Sequence, residues 1–292
     1  MIGYLILVHR FPEQFKRLFK AIYDPSNSYV VHVDKNSGET LDADIRSFLQ
    51  AYTNADVMEG RAALWGGYSL VDAELRGMQH LLAMDGNWSH FINLSGQDFP
   101  LKTQVQIMAY LSAHPDREYI KVFDQKKIRP DTMRRIGEFV IERGGQIEQT
   151  QTMRPFLEGA TPYIGNQWMI VSRAFCSFVC NDAQADRYKA FYRNTFIADE
   201  GFFQTVMMNT PVHGEIVNDD LRMIDWVLDG DIKLRPRTYV RQDAAALKAS
   251  HSLFARKFEQ DVDGDILSIL EGHLAKQALI AEEPELVPAT AA

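Results

Sequence analysis

The sequence predicts an α/β protein with a mostly parallel central sheet flanked by helices, and two observations predict it. Short continuous apolar runs rich in strand formers alternate with stretches whose apolar residues recur at helical spacing. The connections between them are short, and strands joined through helices lie parallel with helices on the sheet faces. Such sheets bind ligands in the crevice at the carboxyl ends of their strands, so the residues just after each strand matter most.

The opening run Gly3-Tyr-Leu-Ile-Leu-Val-His9 reads as the first strand. Phe15, Leu18, Phe19 and Ile22 follow at helical spacing behind Pro12, a residue suited to a first helical turn. Tyr29 to Val33 reads as a second buried strand ending in Asp34, and Leu41, Ile45, Phe48, Leu49 and Tyr52 form the next helical stripe. Ser69 can cap a helix that carries Val71, Leu75, Met78 and Leu82 on one face. Phe91 to Leu94 is a short buried strand running into Ser95-Gly-Gln-Asp-Phe-Pro100. A helix near Thr103 to Leu111 and a strand at Tyr119 to Phe123 come next. From Asp124 to Ala160 the chain is polar, without clear periodicity, and carries Lys126, Lys127, Arg129, Arg134 and Arg135; it reads as an excursion over the site. Regular structure resumes with a strand at Trp168 to Ser172, helices near Arg173 to Cys180 and Ala183 to Asn194, and a helix after Glu200. One domain over 1–281 accounts for all of this, and the acidic, Pro/Ala-rich Glu282 to Ala292 reads as a frayed tail.

Composition narrows the function classes. With 292 residues, 46% hydrophobic and 24% charged, the chain can bury one large core. Thirty-nine acids against 31 bases leave a net charge of −8, so no diffuse basic surface offers itself to nucleic acid or anionic membrane. An anionic ligand needs a local basic pocket. Neither a membrane span nor a signal peptide is expected, and the chain reads as cytoplasmic. Cys176 and Cys180, four apart on one helix face, read as plain buried residues, which excludes a disulfide framework and a cysteine zinc site.

Several residues can carry chemistry. Asp34 at the crevice edge can accept hydrogen bonds from a base or ribose, or serve as a helix N-cap. In Trp65-Gly66-Gly67, paired glycines let backbone approach a ligand beside a stacking indole, and a core Trp with a turn explains the same residues. Asp199-Glu200, entering a helix, supplies either a general base or acids that complement the helix dipole. Phe254-Ala-Arg256-Lys257-Phe258 is a basic pair bracketed by aromatics in an acidic protein. It fits a diphosphate anchor and equally a solvated pair. Asp261-Val-Asp263-Gly-Asp265 lacks the full calcium-loop pattern and reads as a charged turn. No HExxH, Gly-x-Ser-x-Gly or Walker-type loop occurs.

Taken together, six ordered segments resemble the motifs of glycosyltransferase family 14, the core-2/I-branching N-acetylglucosaminyltransferases and peptide O-xylosyltransferases. They are Val31-His-Val-Asp34-Lys, Leu64-Trp-Gly-Gly67-x-Ser69, Phe91 to Thr103, Gly165-Asn-Gln-Trp168, Ala198 to Thr205 and Phe254 to Phe258. The resemblance spans about Tyr4 to Ala275. It implies a GT-A fold and inverting, metal-independent transfer of a sugar (GlcNAc, xylose or another hexose) from a UDP-sugar to a hydroxyl of a glycan or glycolipid. No Asp-x-Asp is found at the expected strand end. By the same resemblance Glu200 is the general base, and Arg256 and Lys257 neutralise the UDP diphosphate, with Arg237 as a second cation. Asp34 and Trp65 lie on the uracil side with Val8 beside the base, and Asp98, Gln167 and Trp168 lie on the acceptor side. Gln167 stands where animal xylosyltransferases place an aspartate assigned as base, which leaves Glu200 as the base candidate. No cofactor or metal is implied, and no nucleic-acid partner. Eukaryotic relatives carry a membrane anchor and several disulfides, so the resemblance implies a bacterial, cytosolic member acting in polysaccharide assembly; peripheral membrane association and oligomeric state stay open. The rival readings are a nucleotide-sugar or glycoside hydrolase, with Asp98 as a second carboxylate facing Glu200, and a non-catalytic nucleotide-sugar-binding relative.

Overall fold

Seven strands form the central sheet of the structure, a computed structural model that describes residues 1–84, 86–211, 214–229 and 233–282. Strand β1 (Ile2–Val8) pairs in parallel with β2 (Ser28–Val33) on one side and β4 (His90–Ser95) on the other. Beyond β2 lies β3 (Ala55–Val57), also parallel. Beyond β4 come Met169–Ser172, Arg117–Ile120 and Glu215–Val217, and only Met169–Ser172 runs against the rest. The expected α/β architecture, a mostly parallel sheet flanked by helices, is the one observed.

Both sheet faces are covered, which is why the strands read as continuous apolar runs. Tyr4, Ile6 and Val8 of β1 enter one core with α1 (Pro12–Ile22), α2 (Glu39–Leu49) and the C-terminal helix Asp265–Glu282. Leu5 points the other way, into a core shared with α3 (Tyr68–Ala83) and the helix Arg173–Asn181, where Cys176 and Cys180 are buried thiols. Chain order reverses around β1, between β2 and β4, and that is where an open α/β sheet leaves its crevice.

A second, three-stranded sheet was not foreseen: Phe254–Arg256 lies between Arg222–Ile224, parallel, and Asp98–Pro100, antiparallel. Strands of three residues carry too little periodicity to show in sequence. The polar excursion also holds order, the hairpin Glu138–Arg143 with Gln146–Met153. Gly144 and Gly145 join it with φ of 60° and 76°, the left-handed pair that a two-residue hairpin turn requires. Smaller differences follow local hydrogen bonding. Arg117–Ile120 joins the main sheet, whereas Phe123–Asp124 pairs apart with Tyr163–Ile164. Gly67, not Ser69, occupies the cap of α3, and the Ser69 hydroxyl accepts from Leu64 N at 2.8 Å. Thr103 caps Gln104–Ser112 with a reciprocal bond to Gln106. Of the expected tail, 283–292 lies outside the described residues.

Candidate active site

The ends of β1 and β2 carry Val8, Asp34 and the loop of Trp65, the residues expected on the uracil side. Val8 closes β1 and its carbonyl accepts from Asp34 N at 2.8 Å. Asp34 Oδ1 accepts from Asn36 N at 2.9 Å and from Ala63 N at 3.2 Å, so this acid is both an N-cap and the tether of the loop that carries Trp65. The Trp65 indole is 57% exposed and meets Phe196 edge-on at 6.0 Å. The adjacent glycines serve packing between protein segments. A Cβ on Gly66 would lie 2.8 Å from the Phe196 ring, and one on Gly67 would lie 2.5 Å from Glu142 Oε2 in the hairpin. Ile197 N donates to Gly66 O at 2.7 Å, which ties this loop to the segment entering Glu200.

Glu200 ends the 3-10 turn Ala198–Glu200, just before the helix Phe202–Met208. Its Oε2 lies 2.6 Å from Arg135 Nη1, an arginine from the polar excursion. Asp199 beside it is buried, and its Oδ1 has no hydrogen-bond partner among the described residues. Burial, and then the Glu200 charge, push the Asp199 carboxyl up to about 7. In α3, Glu74 is fully buried. Its Oε1 accepts from Asn93 Nδ2 at 2.7 Å and Gln167 Nε2 at 3.1 Å, and its Oε2 has no partner among the described residues.

The basic end is the small sheet. Register places Arg256 opposite Asp98, and Arg256 Nη1 lies 3.0 Å from Asp98 Oδ1, both side chains nearly removed from solvent. Ser95 N donates to the other Asp98 oxygen at 2.9 Å. The Arg256 guanidinium lies 4.1 Å over the Trp168 ring. Arg222, absent from the sequence-based set, sits 5.6 Å from the same ring and donates to the Asn93 and Asp220 carbonyls. Phe254 and Phe258 are buried and anchor the segment, as expected. Lys257 Nζ pairs with Glu259 Oε1 at 2.6 Å. Arg237 O accepts from Lys257 N, but the Arg237 guanidinium is held by Asp225 at 2.7 Å and by both Asp243 oxygens at 2.9 Å. Its side chain is thus engaged by two carboxylates.

Two features join these parts. His9 is held below its ordinary pKa, first by burial, then by Arg10, with Arg256 and Lys257 adding to the effect and Asp34 opposing it. One histidine therefore feels Asp34 and the basic pair together. The turn Gly165–Trp168 then links Glu200 to Arg256: Gly165 N donates to Glu200 O at 2.8 Å, Gln167 meets Glu74, and Trp168 lies under Arg256. Among the described residues, no three His, Cys, Asp or Glu side chains gather as they would around a metal ion.

A family model described as "Branch: Core-2/I-Branching enzyme" matches residues 2–251. The chain belongs to this family. It is 31% identical to xylosyltransferase 1 of Rattus norvegicus, over 94% of this chain and 35% of that protein. It is 31% identical to xylosyltransferase 2 of Mus musculus, over 94% and 33%. The core-2/I-branching chain thus spans about a third of the length of these relatives. Among solved structures, apo mouse xyloside xylosyltransferase 1 aligns at a TM-score of 0.40 with 11% identity, covering 87% of this chain and 97% of that one. The 4-diphosphocytidyl-2C-methyl-D-erythritol synthase of Anaerococcus prevotii gives 0.40 and 10%, covering 74% and 88%. Likenesses this loose assign no function. The family match stops at residue 251, short of Phe254–Phe258.

Sequence reasoning passed over Glu74, Arg135 and Arg222. Glu74 left a signal, a carboxylate on the apolar face of α3 beside Val71, Leu75 and Met78, whereas Arg135 was one of five basic residues in a stretch without periodicity.

Proposed function

We propose that the chain is an inverting glycosyltransferase that moves a sugar from a UDP-sugar to a hydroxyl of a glycan or glycolipid, without a bound metal. In this reading Asp34, Trp65 and Val8 receive the uracil, and Lys257 with Arg256 faces the diphosphate. Gln167 and Trp168 border the acceptor, with Asp98 acting through Arg256. Glu200 takes the acceptor proton as its oxygen attacks the anomeric carbon, and UDP departs on the opposite side. A leaving diphosphate develops charge that fixed cations stabilise without reorganisation. What carries the reading is the Gly165–Trp168 turn, which bonds to the Glu200 backbone at one end and lies under Arg256 at the other. The relatives' names support transfer of a sugar. The metal-free reading is supported by the residue set: Arg256 and Lys257 supply positive charge, and among the described residues no three His, Cys, Asp or Glu side chains gather.

A hydrolase would need a second carboxylate facing Glu200. Asp98, the residue expected there, has both oxygens engaged by Arg256 and Ser95 N. The deciding experiment incubates a panel of UDP-sugars with oligosaccharide and glycolipid acceptors in EDTA and determines the product anomer by NMR. Acceptor-dependent transfer with inverted configuration is expected. Free sugar released equally without acceptor, or a strict requirement for added Mn²⁺, contradicts the proposal.

A further inference from the structure

One carboxylate oxygen in the site is crowded with donors. Glu259 Oε1 lies 2.6 Å from Arg10 Nη2, 2.6 Å from Lys257 Nζ and 3.1 Å from Gln97 Nε2. The donors come from three places: the residue after His9 at the end of β1, the turn after β4, and the end of the small sheet. Two of the donors, Arg10 and Gln97, hold each other. Arg10 lies 4.8 Å over the Phe11 ring, and its Nε and Nη2 donate to Gln97 Oε1 at 3.3 and 3.1 Å, which turns the Gln97 amide NH₂ toward Glu259. Gln97 Nε2 also donates to Phe258 O at 3.3 Å.

Two cations and an amide converging on one oxygen make a seat suited to a phosphate oxygen. The place agrees, because His9, next to Arg10, senses Asp34 on the uracil side and Arg256 and Lys257 on the other. The seat is already filled by an anion of the protein itself. Lys257, the cation proposed to meet the diphosphate, is neutralised by Glu259 before any donor arrives. Although burial opposes it, Lys257, Gln97 and Arg10 hold the Glu259 carboxyl below its ordinary value, so the occupant is an anion at neutral pH.

We propose that Arg10 and Gln97 complete, with Lys257, the seat of the donor's diphosphate, and that the Glu259 carboxylate holds this seat in the resting enzyme and yields it when the donor binds. This rests on the glycosyltransferase reading. It exchanges one anion for another on the same donors, so the local cations are never left unpaired, at the cost of weaker donor affinity. The return of Glu259 then helps expel UDP.

Calorimetry with UDP and with uridine, on the full chain and two variants, tests this. Glu259→Gln, which keeps the shape and removes the charge, is expected to bind UDP about tenfold more tightly, and Arg10→Ala about tenfold more weakly. Uridine, lacking phosphates, is expected to bind all three alike. If folded Glu259→Gln binds UDP no better than the original chain, Glu259 is no competitor; if Arg10→Ala leaves UDP affinity unchanged, Arg10 is not in the seat. Should Glu259→Gln fail to fold, Glu259→Ala gives the same reading for the competitor. An original chain that binds neither UDP nor uridine contradicts the glycosyltransferase reading itself, which is a separate failure.

Discussion

At the residue scale, ion pairs orient the two groups on which the proposed chemistry rests. Glu200 is oriented by Arg135 at 2.6 Å, and Arg256 by Asp98 at 3.0 Å and the Trp168 ring. Glu200→Gln preserves shape and removes the proton acceptor, so turnover should fall about 10²–10⁴-fold while UDP affinity measured by calorimetry stays within a factor of about two. A rate close to that of the original enzyme removes Glu200 as the base. Asp98 faces a different demand. Replacing it by Ala leaves a buried guanidinium without its counter-charge, which should cost about 3–5 kcal/mol in urea unfolding. A loss under about 1 kcal/mol would contradict the view that Arg256 depends on Asp98 as its counter-charge. The residues legible in sequence, Asp34, Trp65, Glu200 and Arg256-Lys257, all sit in contiguous motifs. Those that were not legible act through distant partners: Arg135 lies 65 positions from Glu200, and Arg10 lies 249 from Glu259. No local pattern records such pairs.

At the scale of elements, α3 carries the clearest consequence. Glu74 is pushed from its ordinary 4.5 up to about 8, first by burial and then by Asp199, against the pull of Asn93, Gln167 and Arg222. The sign follows from which state holds the proton. Between about pH 4.5 and 8 the folded chain keeps it and the unfolded chain has lost it. The stability that the neutral carboxyl contributes is therefore full below pH 4.5 and drains away as pH rises through 8. Glu74→Gln cannot ionise and should lose this slope, becoming more stable than the original chain at pH 8.5 by roughly 2 kcal/mol or more, with little difference at pH 4.5. Chemical denaturation at the two pH values measures it, and parallel curves for both proteins would contradict the assignment. Elements were legible where burial on both faces or a single apolar stripe dominated, as in β1, β2, α1 and α3. The hairpin at 138–153 was not, because its outer strand Gln146–Met153 exposes both faces and reads as polar coil; only Gly144-Gly145 marked the turn. Asp98–Pro100, Phe254–Arg256 and Arg222–Ile224 form strands because they meet across the fold.

At the scale of the whole molecule, the proposed reading has a chain of net charge −8 bind an anionic donor through a local concentration of basic groups. The sheet supplies the place, since chain order reverses around β1 and opens the crevice there. The small sheet sets Arg256 against Asp98 and over Trp168, and the Gly165–Trp168 turn bonds to the Glu200 backbone. Among the described residues, no helix is long and apolar enough to cross a membrane. A crystal structure with UDP tests this arrangement most directly. It should show uracil beside Asp34 and Trp65, phosphate oxygens within hydrogen-bond distance of Lys257, and an open volume between the terminal phosphate and Glu200. UDP bound elsewhere, with Lys257 still paired to Glu259 and no phosphate near it, would contradict the account.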